Sequence, residues 1–118
     1  MSEHTKTPTA VVEAYIEGTR TRNTDLLKAI FSENARMTGY LGPDLLNDGP
    51  EPFYGALEAN EVSDDYTAEI KSVTQTDKIA SAWISETNLL GMSFDNHFHI
   101  IQIQDGSWRI SSKLFRHY

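Results

Sequence analysis

Phe94-Asp95-Asn96-His97-Phe98-His99-Ile100-Ile101-Gln102-Ile103-Gln104-Asp105-Gly106-Ser107-Trp108-Arg109-Ile110-Ser111-Ser112-Lys113-Leu114-Phe115 carries the strongest hairpin signal in this 118-residue chain. Asp105-Gly106 suits a type I′ turn, in which both central residues take φ > 0; Asp tolerates that region and Gly enters it at no steric cost. Runs rich in β-branched and aromatic residues flank the pair and predict two long antiparallel strands. Strand alternation sends His97, His99, Ile101 and Ile103 to one face and Phe98, Ile100, Gln102 and Gln104 to the other. Both faces carry apolar side chains, so each calls for a covering layer. The two glutamines mark the second face as the wetter one and turn His99 towards the interior.

Before this hairpin, Ile79 to Leu90 alternates Ala80, Ala82 and Ile84 against Ser81, Trp83 and Ser85, and Leu90-Gly91 interrupts it. Tyr66, Ala68 and Ile70 alternate with Thr67, Glu69 and Lys71 in a further strand with one wet face. Helical signals come first in the chain. Thr7-Pro8 caps a helix with the stripe Val11, Val12, Tyr15 and Ile16, in which Gly18 is compatible with close packing or simple tolerance. Asn23 or Thr24 caps a second helix bearing Leu26, Leu27, Ile30 and Phe31. Asn34 to Leu41 reads as a strand, Gly42-Pro43 and Asn47-Asp48-Gly49-Pro50 as turns, and Phe53, Ala56 and Leu57 as the apolar side of a third helix. Helices grouped early and strands grouped late predict an α+β fold with a mainly antiparallel sheet, curved around the N-terminal helices. Residues 1–7 read as a flexible polar N-terminus and 8–118 as one domain.

Composition narrows the partners. A net charge of −7 argues against nucleic acid and anionic membranes, which require clustered Lys and Arg. No cysteine is present, so disulfides, thiolate nucleophiles and zinc fingers drop out, and a cytoplasmic location is the expectation. The first ten residues lack the apolar core of a signal peptide, and nothing approaches a membrane span. The glycines form no phosphate loop, and no cofactor motif occurs.

Thr9 to Phe31, Met37-Thr38-Gly39-Tyr40-Leu41 and Gly49-Pro50-Glu51-Pro52-Phe53, followed by Gly91-Met92-Ser93-Phe94, Phe98-His99-Ile100-Ile101, Asp105-Gly106-x-Trp108-x-Ile110 and Lys113-Leu114-Phe115, resemble the putative lumazine-binding family. That family lies in the nuclear transport factor 2-like superfamily, also called cystatin-like or SnoaL-like. The resemblance implies an α+β cone with a cavity, homodimers packed through the outer sheet face, and uses that range from isomerases, dehydratases and polyketide cyclases to non-catalytic binding. A fold of this kind does not by itself license a function.

The candidate chemistry is sparse. His99, where the family pattern carries His, is the catalytic candidate for proton transfer, weighed against a core histidine satisfied by a hydrogen bond. His97 shares its face, yet no further ligand completes a metal site, so no metal is expected. Tyr15, Met37, Tyr40, Phe53, Tyr54, His97 and His99 form the expected ligand-binding set around a cone cavity. Tyr66 joins the aromatics near it. Glu86 and Lys113 read as a solvated surface pair. Phe98, Ile100, Trp83 and Phe115 are the expected dimer surface, and Trp108 a core residue. Three readings stand side by side: binding of a small aromatic or heterocyclic ligand, an enzyme using His99, and a dimerisation or protein-interaction module without a ligand.

Overall fold

Thr7 accepts a hydrogen bond from the Ala10 amide at 3.0 Å, and Pro8 occupies the first position of helix α1 (Pro8–Thr21). This is the start that the sequence places there, and it recurs in the computed structural model, which describes residues 2–118. Val11, Val12, Tyr15 and Ile16 are buried along one side of α1. A Cβ on Gly18 would lie 2.9 Å from the Leu27 side chain, so this glycine marks close packing against helix α2 (Thr24–Ile30). Asn23 caps α2 by accepting from the Leu26 amide at 3.1 Å. Arg22 ends α1 in the left-handed region at φ 58°. Its guanidinium donates to the Leu57 and Glu58 carbonyls at 2.7 and 3.1 Å, tying α1 to the end of helix α3 (Glu51–Ala59). Those carbonyls have no partner within their own helix.

The strands β1 (Phe31–Leu41), β2 (Asp44–Asp48), β3 (Thr67–Thr76), β4 (Ile79–Leu89), β5 (Met92–Gln102) and β6 (Trp108–His117) form one sheet in the order β2-β1-β6-β5-β4-β3. Every neighbouring pair is antiparallel except β1 with β6. Register shifts break the ladders β1–β6, β3–β4, β4–β5 and β5–β6, and such bulges sharpen the twist that curls a sheet into a cone. The helices cover the inner face, and the expected α+β cone is the observed architecture. No helix among the described residues is long and apolar enough to cross a membrane.

Three local expectations change. The polar N-terminus carries more order than its composition suggests: Glu3–Thr5 form a 3₁₀ turn and Thr5 is buried, while Met1 lies outside the described residues. The Asp105-Gly106 turn is not type I′. Ile103 and Ser107 pair across a three-residue loop, with the Ile103 amide donating to the Ser107 carbonyl at 2.8 Å, and of that loop only Gly106 has positive φ, at 89°. The two-residue turn with both φ positive is Leu90-Gly91, at 52° and 80°, between β4 and β5.

The third correction is the facing of β5. Phe94, Asn96, Phe98 and Ile100 point inwards and are buried, whereas His97, His99 and Ile101 are exposed on the outer face. The glutamines misled because they serve the loop and say nothing about the strand's face. Gln104 lies in the turn, and Gln102 donates to the Gly106 carbonyl at 2.9 Å. What decides the parity is the fit beneath α1, where Phe98 meets Tyr15 edge-on with ring centroids 4.9 Å apart. Of the expected dimer surface, Phe98 and Ile100 are therefore core and Phe115 is half-buried; Trp83 alone faces outwards.

Candidate functional site

Two adjoining features occupy the inside of the cone. The first is a cavity of about 220 Å³. Met37 and Leu41 of β1, Phe53 of α3, Met92 and Phe94 of β5 and Phe115 of β6 supply most of its apolar wall. The strained Leu90 turn closes one side, and Asp48 stands on the lining from β2. An apolar cavity of roughly 150 Å³ takes up benzene, so this one admits a somewhat larger ring system.

The second feature is a buried polar chain behind that cavity. Lys113 lines the cavity and donates from Nζ to Tyr15 Oη at 2.8 Å. The Tyr15 hydroxyl donates to Glu86 Oε1 at 3.3 Å, the Tyr66 hydroxyl to Glu86 Oε2 at 2.6 Å, and Asn96 Nδ2 to Glu86 Oε1. Tyr15, Glu86 and Asn96 are 0% exposed, Tyr66 2% and Lys113 6%. A buried carboxylate is tolerable only when hydrogen-bonded, and Glu86 has three donors. No carboxylate among the described residues lies within 4 Å of Lys113 Nζ, so its charge is compensated through Tyr15 and by rings. The ammonium stands 4.4 Å from the Phe53 centroid, 5.0 Å from Tyr15 and 5.5 Å from Phe115, a cation–π cage.

This environment shifts the titrating groups in consistent directions. Burial pulls Lys113 down from its ordinary 10.5 to about 8, with the Glu86 charge pulling the other way. Burial first, and the Glu86 charge next, hold the Tyr15 and Tyr66 hydroxyls above their ordinary value, so both remain donors. Burial also pushes Tyr54 up to about 12. The chain Lys113–Tyr15–Glu86 thus has a direction, from ammonium through hydroxyl to carboxylate, and it can pass a proton along that line.

The expected site residues separate. Met37 and Phe53 line the cavity, and Tyr15 stands behind it, stacked on Phe53 at 5.9 Å. Tyr54 is buried between Phe31 and Phe53 and does not reach the cavity wall. Tyr40 is 50% exposed on the outer face of β1. His97 stacks on Trp83 outside, and His99 stands beside Ser112 on the same outer face, so neither histidine borders the cavity. Glu86 and Lys113 are not a surface pair: both are buried, and β5 runs between their strands.

A bulge explains Lys113. His99 pairs with Ser112 while Ile100 pairs with Ile110, so Ser111 is the extra residue and the inward parity of β6 passes from Trp108 and Ile110 to Lys113. Two signals for the cluster were nevertheless present. Glu86 continues the parity of Ala80, Ala82 and Ile84, and Asn96 interrupts the stripe of Phe94 and Phe98.

Comparison with known proteins agrees with this architecture. The family model described as "Putative lumazine-binding" matches residues 3–116. A nuclear transport factor 2-like protein of unknown function from Silicibacter pomeroyi is 29% identical with a TM-score of 0.83, covering 93% of this chain and 92% of that one. Another from Shewanella baltica is 20% identical with a TM-score of 0.85, covering 93% and 90%. A ketosteroid isomerase-like protein from Erwinia carotovora atroseptica is 18% identical with a TM-score of 0.72, covering 99% and 98%. At those last two identities the likeness speaks for the fold alone. No protein of curated function matches the chain. With nearly its whole length matched and its cone shared with these structures, the chain belongs to the putative lumazine-binding family of nuclear transport factor 2-like proteins.

Proposed function

We propose that the protein binds a small, flat aromatic or heterocyclic molecule in the cone cavity, with the ligand's polar end at Lys113. The observation that carries this reading is an apolar cavity of about 220 Å³ with the buried Lys113 in its lining. Apolar walls with one or two convergent polar groups are what small-molecule sites require, the walls supplying affinity and the polar groups orientation. The family description points to bicyclic heterocycles, and the cavity size is compatible with such a ring system. Thermal shift with lumazine and a panel of mono- and bicyclic heterocycles tests it, since a ligand bound only by the folded state raises stability by mass action. A hit should lose its shift in Met37→Trp, which fills the cavity, and keep it in His99→Gln. A hit indifferent to Met37→Trp would refute the cavity as the site.

An isomerase, dehydratase or cyclase built on this cavity would draw its proton-transfer groups from Lys113, Tyr15 and Glu86, because His99 lies on the other face. Such an activity should vanish in Lys113→Met and survive His99→Gln.

The outer face supports a homodimer in which Trp83, of the residues first expected, is joined by His97, Leu114, Ile79 and Ile101. Trp83, His97 and Leu114 pair across β4, β5 and β6, and Ile79 pairs with Ile101 two pleat repeats away, beyond the Ser81–His99 pair. Ile79, Trp83, Ile101 and Leu114 are 38–57% exposed, large apolar side chains gathered on one face of the kind that monomers seldom leave in water. Sedimentation should show a dimer for the wild type and a monomer for Leu114→Glu; a monomeric wild type at micromolar concentration overturns this reading.

A further inference from the structure

We propose that Lys113 captures its ligand covalently, as an imine, so that the cavity takes a flat aldehyde or ketone. This rests on the cavity being the ligand site. Three observations converge on the amine. Lys113 belongs to the cavity lining, and its Nζ stands 4.4 Å from the ring centroid of Phe53, another lining residue, so a carbonyl carbon placed beside that ring neighbours the amine. Its hydrogen bond goes to a neutral hydroxyl, that of Tyr15, leaving no carboxylate among the described residues to hold it as a salt bridge. Its immediate surroundings are rings, those of Phe53, Tyr15 and Phe115, which shield an imine from hydrolysis by bulk water. Desolvation in an apolar pocket is how a lysine becomes nucleophilic near neutral pH, and burial acts on Lys113 in that direction.

The polar chain supplies the proton traffic. Lys113 Nζ passes a proton to Tyr15 Oη while that hydroxyl passes its own to Glu86 Oε1. The freed lone pair forms the N–C bond, and the carbonyl π pair moves to oxygen, which takes the first nitrogen proton. A second nitrogen proton follows through the same relay as the C–O bond breaks. Water leaves and the N–C bond becomes a protonated imine. Two of the three ammonium protons depart with the carbonyl oxygen as water, and Tyr15 and Glu86 return to their starting states. No oxidant or reductant is consumed. Glu86 has a role in this chain beyond accepting hydrogen bonds, since it is the reservoir in which the proton waits.

Reductive trapping tests the idea. The full chain is incubated with 2-naphthaldehyde and sodium cyanoborohydride at neutral pH, digested and mapped by mass spectrometry. Lys6, Lys28, Lys71 and Lys78 are exposed and serve as internal controls in the same tube. The expected result is modification of Lys113 roughly tenfold or more faster than of any of those four. Lys113→Arg, which keeps the cation but removes the primary amine, should retain its fold by circular dichroism and lose that label. Tyr15→Phe should slow the labelling. The non-carbonyl analogue 2-naphthalenemethanol separates this inference from the reading beneath it. If the alcohol raises the melting temperature of the wild type but not of Met37→Trp, while the aldehyde labels Lys113 no faster than the surface lysines, the imine is refuted and the cavity stands. If the alcohol does not bind and Lys113 is not labelled, both fall.

Discussion

Replacing Lys113 with Met exchanges a buried amine for an apolar side chain of similar length, and the consequence should depend on pH in a calculable way. Lys113 is brought down from 10.5 to about 8 in the folded protein. Keeping it charged there costs about 3 kcal/mol relative to the unfolded chain. The cation–π cage and the bond to Tyr15 act on the same ammonium and belong to that balance, and Met brings a burial energy of its own, so total stability at one pH is a poor readout. The pH slope is the sharper one. Below pH 8 folded and unfolded states both hold the proton and the slope is flat. Between about 8 and 10.5 only the unfolded chain holds it, so stability rises with pH. From pH 7 to 9.5 the gain amounts to about 2 kcal/mol. Tyr15 of α1 is hydrogen-bonded to this amine, Glu86 of β4 lies one hydrogen bond further along with Tyr66 bonded to it, and Asp48 of β2 stands on the same cavity lining; all are present in both proteins. Urea unfolding of wild type and Lys113→Met at half-unit steps from pH 7 to 9.5 gives the difference directly. The wild type should gain on the variant by about 2 kcal/mol across that range. Parallel curves would refute the claim that Lys113 carries a buried, depressed charge.

Gly39→Ala should destabilise by at least about 2 kcal/mol, because its Cβ would run into the Phe115 backbone carbonyl across the parallel β1–β6 pair, where no side-chain rotation gives relief. Gly55→Ala, on the exposed side of α3 with nothing within 4 Å, should instead stabilise by about 0.5–1 kcal/mol; thermal melts of the two variants must move in opposite directions. Glu86→Ala removes the acceptor of Tyr15, Tyr66 and Asn96 at once and should cost about 3–5 kcal/mol in urea titration. Trp108→Ala, at a site only 4% exposed, should cost about 3–5 kcal/mol, and a wild-type emission readily quenched by iodide would contradict that placement.

The cone could be read from sequence because its determinants are local and repeated: caps at Thr7 and Asn23, helical stripes on α1 and α2, and alternation in β3 to β6. Many residues vote for each of those assignments, so one misread turn, such as Asp105-Gly106, changes little. The site is decided by single-residue parity, where one residue carries the whole outcome. On β5 both faces are apolar, and only contact with Tyr15 under α1 separates Phe98 from His99. That contact joins residues far apart in the chain, and no local pattern reports it. On β6 the parity itself changes within the strand, since Ser111 inserts one residue opposite the His99–Ile100 step. Counting by twos from Trp108 therefore sends Ser112 and Leu114 inwards and Lys113 out, the reverse of what is observed. A better guide lay in the polar residues that broke an otherwise apolar parity. Glu86 after Ala80, Ala82 and Ile84, and Asn96 between Phe94 and Phe98, each occupy positions where an aliphatic residue would pack at no desolvation cost. Two such interruptions on adjacent strands satisfy each other only if both point inwards, and a buried carboxylate then needs more donors than one amide can supply. That requirement leads from Glu86 to Tyr15 and Tyr66, and from Tyr15 to the one lysine that the bulge at Ser111 turns to face it.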